Sequence, residues 1–220
     1  MKKKIIISIV IVVILIAIAG GFFYWWQGQM AQKSKESEKK EGATEEKIIE
    51  TFGDIVVKET SEGKVVENKK EGISMKVPEG WEVNTHTSED VVLQIRKFGP
   101  NQTLDTELQD GMVLNLYIQD NPERLNIKEF ALKNWEYSPE ELISLKINGK
   151  GVIKTIEKVI YGLDEYDENP VYLEDSELVD LSFTKDDKTY TLSCSSAGPN
   201  YKDYTKECED VMKDKIQNEF

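Results

Sequence analysis

The sequence predicts an α+β domain built on a mainly antiparallel β-sheet flanked by helices, preceded by an N-terminal transmembrane helix. Three observations predict this arrangement. Residues 5–26 carry no charge, residues 71–83 combine an alternating run with a Pro-x-Gly turn, and residues 179–194 hold two alternating runs around a polar turn. Alternation with a period of two is the pattern of strands that bury one face.

The uncharged run predicts a membrane anchor. It is 22 residues long, which as a helix gives about 33 Å, the thickness of a bilayer core. It ends in the rings of residues 22–26, which suit a membrane interface, and three lysines precede it, which places residues 1–4 in the cytoplasm. A cleavable signal peptide is the alternative, because residues 17–19 form an A-x-A cleavage pattern. Either way, the remainder leaves the cytoplasm.

Residues 27–46 are predicted to be a flexible polar linker. From residue 31 onward this stretch is mostly Lys, Glu, Ser, Gln, Gly and Thr, which cannot bury enough apolar surface to order itself. Residues 47–220 then form one extracytoplasmic domain, since about 170 residues suffice for one core and are few for two.

The charge of the chain restricts its partners. Against 41 acidic residues there are 28 basic ones, for a net charge of −13, and three of the basic residues lie at the N-terminus. Such a surface repels phosphate backbones, so nucleic acid is excluded as a partner. Cations or a basic protein surface fit better.

The first half of the domain is predicted to consist of strands. For residues 48–57 helix and strand both remain open, because periodicity does not separate them. Five alternating or apolar segments predict strands: 55–58, 64–67, 73–77, 91–96 and 112–118. Pro78 and Gly80 end the third of these in a turn, which delivers Trp81 to the core as a fold anchor.

Helices are predicted at three places. Asn126 caps a helix over 127–137, with Glu129 completing a capping box. A second, short helix is predicted to begin at Ser138, because a proline and two acidic residues follow it; a strand over 152–161 comes after it. The last helix, over 201–212, carries an apolar stripe.

Cys194 and Cys208 are predicted to form a disulfide. Cys194 lies on the apolar face of a predicted strand, and Cys208 lies on the apolar stripe of the last helix. Because the domain is extracytoplasmic, a bridge is favoured; it would close a loop of about 15 residues. Two buried free thiols are the alternative.

No motif predicts an enzyme. His86, the single histidine, lies in a polar stretch and is predicted to be a solvated loop residue. Trp135 is predicted to be a core residue, with a ligand platform as the alternative.

The best metal candidate is an acidic segment, in which residues 164–187 hold ten acidic residues and one lysine. Carboxylates in a loop can bind Ca²⁺ or Mn²⁺, but the spacing of a calcium-binding loop is lacking, so a solvated acidic loop is the preferred interpretation. The candidate ligands are Asp164, Glu165, Asp167 and Glu168.

Three segments resemble the PsbP-like family. They are GISMKVPEGW at 72–81, DKTYTLSC at 187–194, and the closing helix after Pro199. The resemblance implies an α/β/α sandwich around a mainly antiparallel sheet. In photosynthetic members this domain is an extrinsic luminal subunit that helps to retain calcium and chloride at the oxygen-evolving centre. The lysine-led membrane run departs from those members, so the fold is carried over and the photosynthetic role is not.

The sequence therefore predicts a membrane-tethered, extracytoplasmic, non-enzymatic interaction module that binds a protein or cell-envelope partner. The alternative is a divalent-cation (Ca or Mn) binding accessory domain of a membrane complex. No cofactor is predicted apart from this calcium candidate.

Overall fold

The computed structural model describes residues 47–220 with small gaps at 89, 104–105, 136, 159, 162–170 and 173. The predicted membrane segment and linker lie outside the described residues, and so do the candidate metal ligands Asp164, Glu165, Asp167 and Glu168. Within the described ranges, no helix is both long enough and apolar enough to cross a membrane.

A four-stranded antiparallel meander opens the described chain. Its strands are β1 (Lys47–Phe52), β2 (Ile55–Thr60), β3 (Gly63–Asn68) and β4 (Ile73–Lys76), in that spatial order. The segment at 48–57 that the sequence left open between helix and strand is thus strand β1 and the start of β2. Strand β1 pairs with β2 through a register shift between Ile48 and Glu50, and all six of its residues are exposed.

A seven-stranded antiparallel sheet forms the centre of the domain. Its strands are β5 (Glu82–Val83), β6 (Leu93–Phe98), β7 (Gly111–Asp120), β8 (Ile143–Ile147), β9 (Lys150–Glu157), β12 (Ser176–Lys185) and β13 (Lys188–Ala197). The spatial order is β5-β6-β7-β13-β12-β9-β8. Two short strands, β10 (Ile160–Tyr161) and β11 (Val171–Tyr172), pair separately. The predicted late hairpin is confirmed as β12 and β13, which meet at Lys185 and Lys188.

Two helices lie on opposite faces of this sheet. Helix α1 (Ile127–Asn134) starts with the predicted capping box between Asn126 and Glu129, and it ends three residues before the predicted end. Helix α2 (Tyr201–Asn218) is the predicted closing helix. The described residues therefore confirm the α+β class with a mainly antiparallel sheet.

The short helix predicted to begin at Ser138 is wrong. The backbone N–H of Glu141 donates to the carbonyl of Ser138, so a single turn forms, but the chain then enters strand β8. Strand pairing prevails because Ile143, Leu145 and Ile147 alternate with polar residues and pair with β9. Such alternation fits a sheet and not a helix.

The main core lies between the sheet, α2 and the meander. The sheet contributes side chains at most 1 % exposed, including Leu93, Leu114, Leu116, Leu181 and Leu192. A smaller cluster lies on the opposite face, where Ile127 and Ala131 of α1 pack with Ile153 and Leu142. Because Ile153 follows Val152 of the main core, the two clusters lie on opposite sides of β9.

Trp81 is buried at the predicted corner. The N–H of Trp81 donates to the carbonyl of Pro78, and Gly80 has φ +79°, which glycine adopts readily. The Trp81 side chain is 4 % exposed. Its indole N–H donates to Glu207 Oε1 of α2 at 3.3 Å, so the corner is attached to the closing helix.

Cys194 and Cys208 form a disulfide that joins β13 to α2. Their Cα atoms lie 6.4 Å apart, and both residues are at most 1 % exposed. The pairing expected from the two apolar faces is thus present, and no free thiol remains.

Candidate functional site: a polar groove on the sheet

A groove of about 970 Å³ lies over the sheet face opposite α2. We call it the sheet groove. Strands β7, β9, β12 and β13 form its floor, and the segment that follows α1 forms one wall. Its lining includes Tyr117, Trp135, Tyr137, Glu157, Asp180 and Thr191.

The floor is polar because of strand alternation. Asn115, Ser193, Asp180 and Thr155 are register partners across four neighbouring strands, so they form one row on one face. Asn115, Ser193 and Asp180 each lie between apolar residues of the main core. The central strands therefore bury one face and leave a band of hydrogen-bonding side chains on the other.

Asp180 is the unusual residue of this row. It lies between Val179 and Leu181, which are 1 % and 0 % exposed. Its Oδ1 atom is buried and has no hydrogen-bond partner. Burial raises the pKa of the Asp180 carboxyl to about 6; a hydrogen bond with Ser193 opposes the rise, and the charge of Glu157 adds to it. A buried acceptor without a donor destabilises a fold.

Two tyrosines border Asp180. The Tyr137 hydroxyl donates to Glu157 Oε1, and burial together with this bond raises the pKa of Tyr137. Burial also raises the pKa of Tyr117, and the charge of Asp180 contributes to the rise. Both phenols therefore stay neutral at physiological pH.

Trp135 forms part of the groove wall. Its ring packs edge-on against Phe130 and Tyr137, at centroid distances of 5.7 and 6.2 Å, and its indole N–H donates to Gln119 at 3.2 Å. It is half-buried and packs against the smaller core cluster, as the sequence predicted, while it also lines the groove. Because α1 ends at Asn134, Trp135 leaves the helix and reaches the groove.

The described residues that line the groove include more acidic than basic side chains. Glu71 and Asp90 lie on the rim with Lys70 and Lys188, and Glu157 and Asp180 add two more carboxylates. Lys188 is already paired with Asp120, at 2.7 Å between Nζ and Oδ1. Among the described lining residues, four carboxylates therefore stand against one uncommitted lysine, which favours a positively charged ligand.

A second groove, of about 980 Å³, runs between the Trp81 corner and α2. Its central polar groups are paired: Glu207 accepts from Trp81 and binds Lys97, with 2.8 Å between Oε1 and Nζ. Trp81 is therefore a packing residue there, and Pro78 and Gly80 belong to the turn that precedes it.

The other residues singled out from the sequence do not form a site. His86 is exposed in a loop, where its ring lies 4.4 Å from that of Phe52. In the part of the chain that the structure describes, no three metal-ligating side chains come together. The acidic candidates at 164–168 are not among the described residues, so their role stays a prediction.

Sequence reasoning did not find the sheet groove. The available signal was Asp180 itself, an acidic residue within the run VDLSF at 179–183 of strand β12. Outward positions of a sheet are commonly polar, so this residue resembled an ordinary solvated one. Only the pairing of β12 between β9 and β13 shows that neighbouring strands enclose it.

Comparisons with known proteins give a remote likeness. No protein-family model and no curated protein matches the chain. A crystal structure of a protein from Bacteroides thetaiotaomicron is similar with a TM-score of 0.35 and 11% identity, over 61% of this chain and 41% of that one, less than half of its length. The solution structure of cyanobacterial PsbP (CyanoP) from Synechocystis is similar with a TM-score of 0.42 and 16% identity, over 67% of this chain and 88% of that one.

The second structure carries the name of the family that the sequence resembles. Its similarity to this chain is at low sequence identity. The likeness extends to no ligand or partner.

Proposed function

We propose that the protein is a membrane-tethered, extracytoplasmic, non-enzymatic interaction module that binds its partner in the sheet groove. One observation carries the proposal: Asp180, whose Oδ1 atom is buried without a hydrogen-bond partner, lies in the floor of an open groove. Residues that destabilise a fold while facing a cleft are typical of functional sites.

The reactive groups of the chain support binding in preference to catalysis. Both cysteines are held in the buried disulfide, so neither is available as a thiol nucleophile. The single histidine lies in an exposed loop against Phe52 and does not line the sheet groove. A binding module needs neither group.

Two observations support a location outside the cytoplasm. The uncharged run at residues 5–26 follows three lysines, the charge pattern of a segment whose C-terminal side is exported. A buried disulfide in a small domain is typical of an oxidising compartment. The partner is therefore proposed to be a protein or another component of the cell envelope.

Site-specific photo-crosslinking in the intact membrane-anchored chain tests this function. A benzophenone side chain in place of Lys70, on the groove rim, should give a discrete crosslinked product. The same group in place of Lys202, an exposed residue of α2, is the matched control. The Lys70 product should disappear when Asp180→Asn is added. Equal products from both positions, or a product that Asp180→Asn leaves unchanged, would refute binding in the groove.

The second candidate function is divalent-cation binding by the acidic segment. The density of carboxylates at residues 164–168 favours it. Calorimetry with Ca²⁺ and with Mn²⁺ on the intact chain decides between the two functions. Micromolar binding that is abolished by neutralising Asp164, Glu165, Asp167 and Glu168 would establish the cation site. Absence of heat at millimolar Ca²⁺ and Mn²⁺ would remove it.

A further inference from the structure

We propose that the sheet groove takes an organic cation with N–H donors, an ammonium or guanidinium group, and holds it beside the carboxyl groups of Asp180 and Glu157 that line the groove. This inference rests on the proposed function and adds the chemical class of the ligand. The geometry of the groove supports it in three respects: the hydrogen bonds already made, the balance of charge, and the aromatic wall.

Three of the described donors around the groove, the side chains of Thr191, Trp135 and Tyr137, are already committed to other acceptors. The Thr191 hydroxyl is paired with Ser182 at 2.9 Å, Trp135 donates to Gln119, and Tyr137 donates to Glu157. Of the described side chains near Asp180, Ser193 forms a hydrogen bond with it. The buried Oδ1 atom has no donor from the described residues, so the fold satisfies this carboxyl group only in part.

Charge selects a cationic donor over a neutral one. Asp180 and Glu157 lie on the same sheet face, since Asp180 pairs with Thr155 and Glu157 lies two residues further along β9. Lys188 is neutralised by Asp120, so it does not offset them. In a partly desolvated groove, a hydrogen bond from a charged donor to a carboxylate is about twice as strong as one between neutral groups.

The wall beside these carboxylates is aromatic. Trp135 and Tyr137 both line the groove, with their ring planes 88° apart. Cations bind favourably over the faces of such rings within about 6 Å of the centroid. A cation between this wall and Asp180 would interact with a carboxylate on one side and with ring electrons on the other.

The protonation of Asp180 makes binding depend on pH. Because the pKa of this carboxyl is raised to about 6, the free groove holds a proton there at pH 5 and releases it when a cation binds. The other titratable groups that face the groove are Glu71, Asp90 and Glu157, the two tyrosines, Lys70 and Lys188. The affinity of the groove for a cation should therefore rise about tenfold from pH 5 to pH 7. Most of this rise lies below pH 6, because affinity falls by at most tenfold for each pH unit below the pKa.

Isothermal titration calorimetry on the full chain in detergent micelles tests the inference. The probes are N-acetyl-arginine methylamide and N-acetyl-lysine methylamide, each compared with its uncharged counterpart, the citrulline or Nε-acetyl-lysine derivative. At least one charged probe should bind saturably, and its neutral counterpart at least tenfold more weakly. Asp180→Asn should weaken binding tenfold or more. Asp187→Asn, which removes an exposed carboxylate on a hairpin turn, should leave it unchanged.

Glu157→Gln is the second variant, because it keeps Asp180 and removes only the neighbouring charge. It should weaken the charged probes several-fold and leave the neutral ones unaffected. Equal affinity for charged and neutral probes, or equal affinity in Asp180→Asn and wild type, would overturn the inference. Absence of binding by all four probes would overturn it too.

Two further arms separate the sources of the cation. Tighter binding of agmatine than of Gly-Gly-Arg-Gly-Gly would indicate a small amine ligand, and the reverse order would indicate a basic side chain of a protein partner. If the probes fail while the Lys70 crosslink persists and depends on Asp180, the cationic class is wrong and the proposed function stands. If the crosslink fails as well, the proposed function is wrong.

Discussion

Replacing Asp180 with asparagine should stabilise the protein at neutral pH. The change keeps the shape of the side chain and removes a charge that burial disfavours. The pKa of Asp180 is about 6 in the folded chain, against an ordinary value of 3.8. Each pH unit of difference corresponds to about 1.4 kcal/mol, so the charged form lowers the free energy of unfolding by up to about 3 kcal/mol. Loss of the charged hydrogen bond with Ser193 offsets about 1 kcal/mol of that gain.

The pH dependence gives this prediction its sign. Because the folded-state pKa lies above the unfolded value, the stability linked to the protonated carboxyl is fully present below about pH 4. It is lost as pH rises through about 6. The advantage of the asparagine variant should therefore be absent at pH 4, grow between pH 4 and pH 6, and level off at about 2 kcal/mol above pH 7.

Urea unfolding of both chains at pH 4, 5, 6, 7 and 8, followed by tryptophan fluorescence, measures this difference. Asp187→Asn is the matched control, because it removes an exposed carboxylate of the same type. The difference in unfolding free energy between this control and the wild type should not grow between pH 4 and pH 6. A gain in unfolding free energy for Asp180→Asn that does not vary with pH, or that grows toward acid pH, would contradict a raised pKa of Asp180 in the folded chain.

Three further predictions concern the scaffold and the anchor. Replacing Cys194 and Cys208 together with alanine should lower the free energy of unfolding by about 3 kcal/mol, as expected for a loop closed at a separation of 14 residues; equal urea midpoints for the oxidised wild type and the variant would contradict this. Gly80→Ala, where a Cβ meets nothing within 4 Å but φ is +79°, should lower the free energy of unfolding by about 1–2 kcal/mol. Gly111→Ala should lower the free energy of unfolding by more, because its Cβ would lie 2.4 Å from the Lys97 carbonyl oxygen. Urea titration of the two variants compares them. A larger loss of stability for Gly80→Ala than for Gly111→Ala would contradict this prediction. N-terminal sequencing of the mature protein should find the residue 1–19 segment retained, whereas a start at Gly20 would show that it is a cleaved signal peptide.

The fold was largely predictable because its signals are local. Alternation over residues 179–194 predicted the β12–β13 hairpin, and Asn126 with Glu129 predicted the start of α1. Ser138 also carried a local helix signal, but the predicted helix does not form, because pairing of β8 with β9 outweighed a single capped turn. Local sequence patterns therefore predicted most elements, and the exception arose where strand pairing between distant residues competed with a local helix signal.

The candidate site was much less predictable because it depends on non-local contacts. Asp180 becomes unusual only where Thr155, Ser193 and Glu157 approach it from two other strands. Trp135 reaches the groove because α1 ends early, a boundary that sequence patterns place poorly. The acidic residues at 164–168, in contrast, were predictable as a candidate site, because their density is visible in the sequence itself.

The most direct test of the groove as a binding site is the titration of the Asp180 carboxyl, followed by ¹³C NMR in the full chain with ¹³Cγ-labelled aspartate. Asp180→Asn identifies the signal. In the free protein we expect a midpoint near pH 6, and saturating N-acetyl-arginine methylamide should lower that midpoint by one pH unit or more. A midpoint near 4 in the free protein, unchanged by the charged probes, would contradict the claim that Asp180 is a buried carboxyl group that binds a cation.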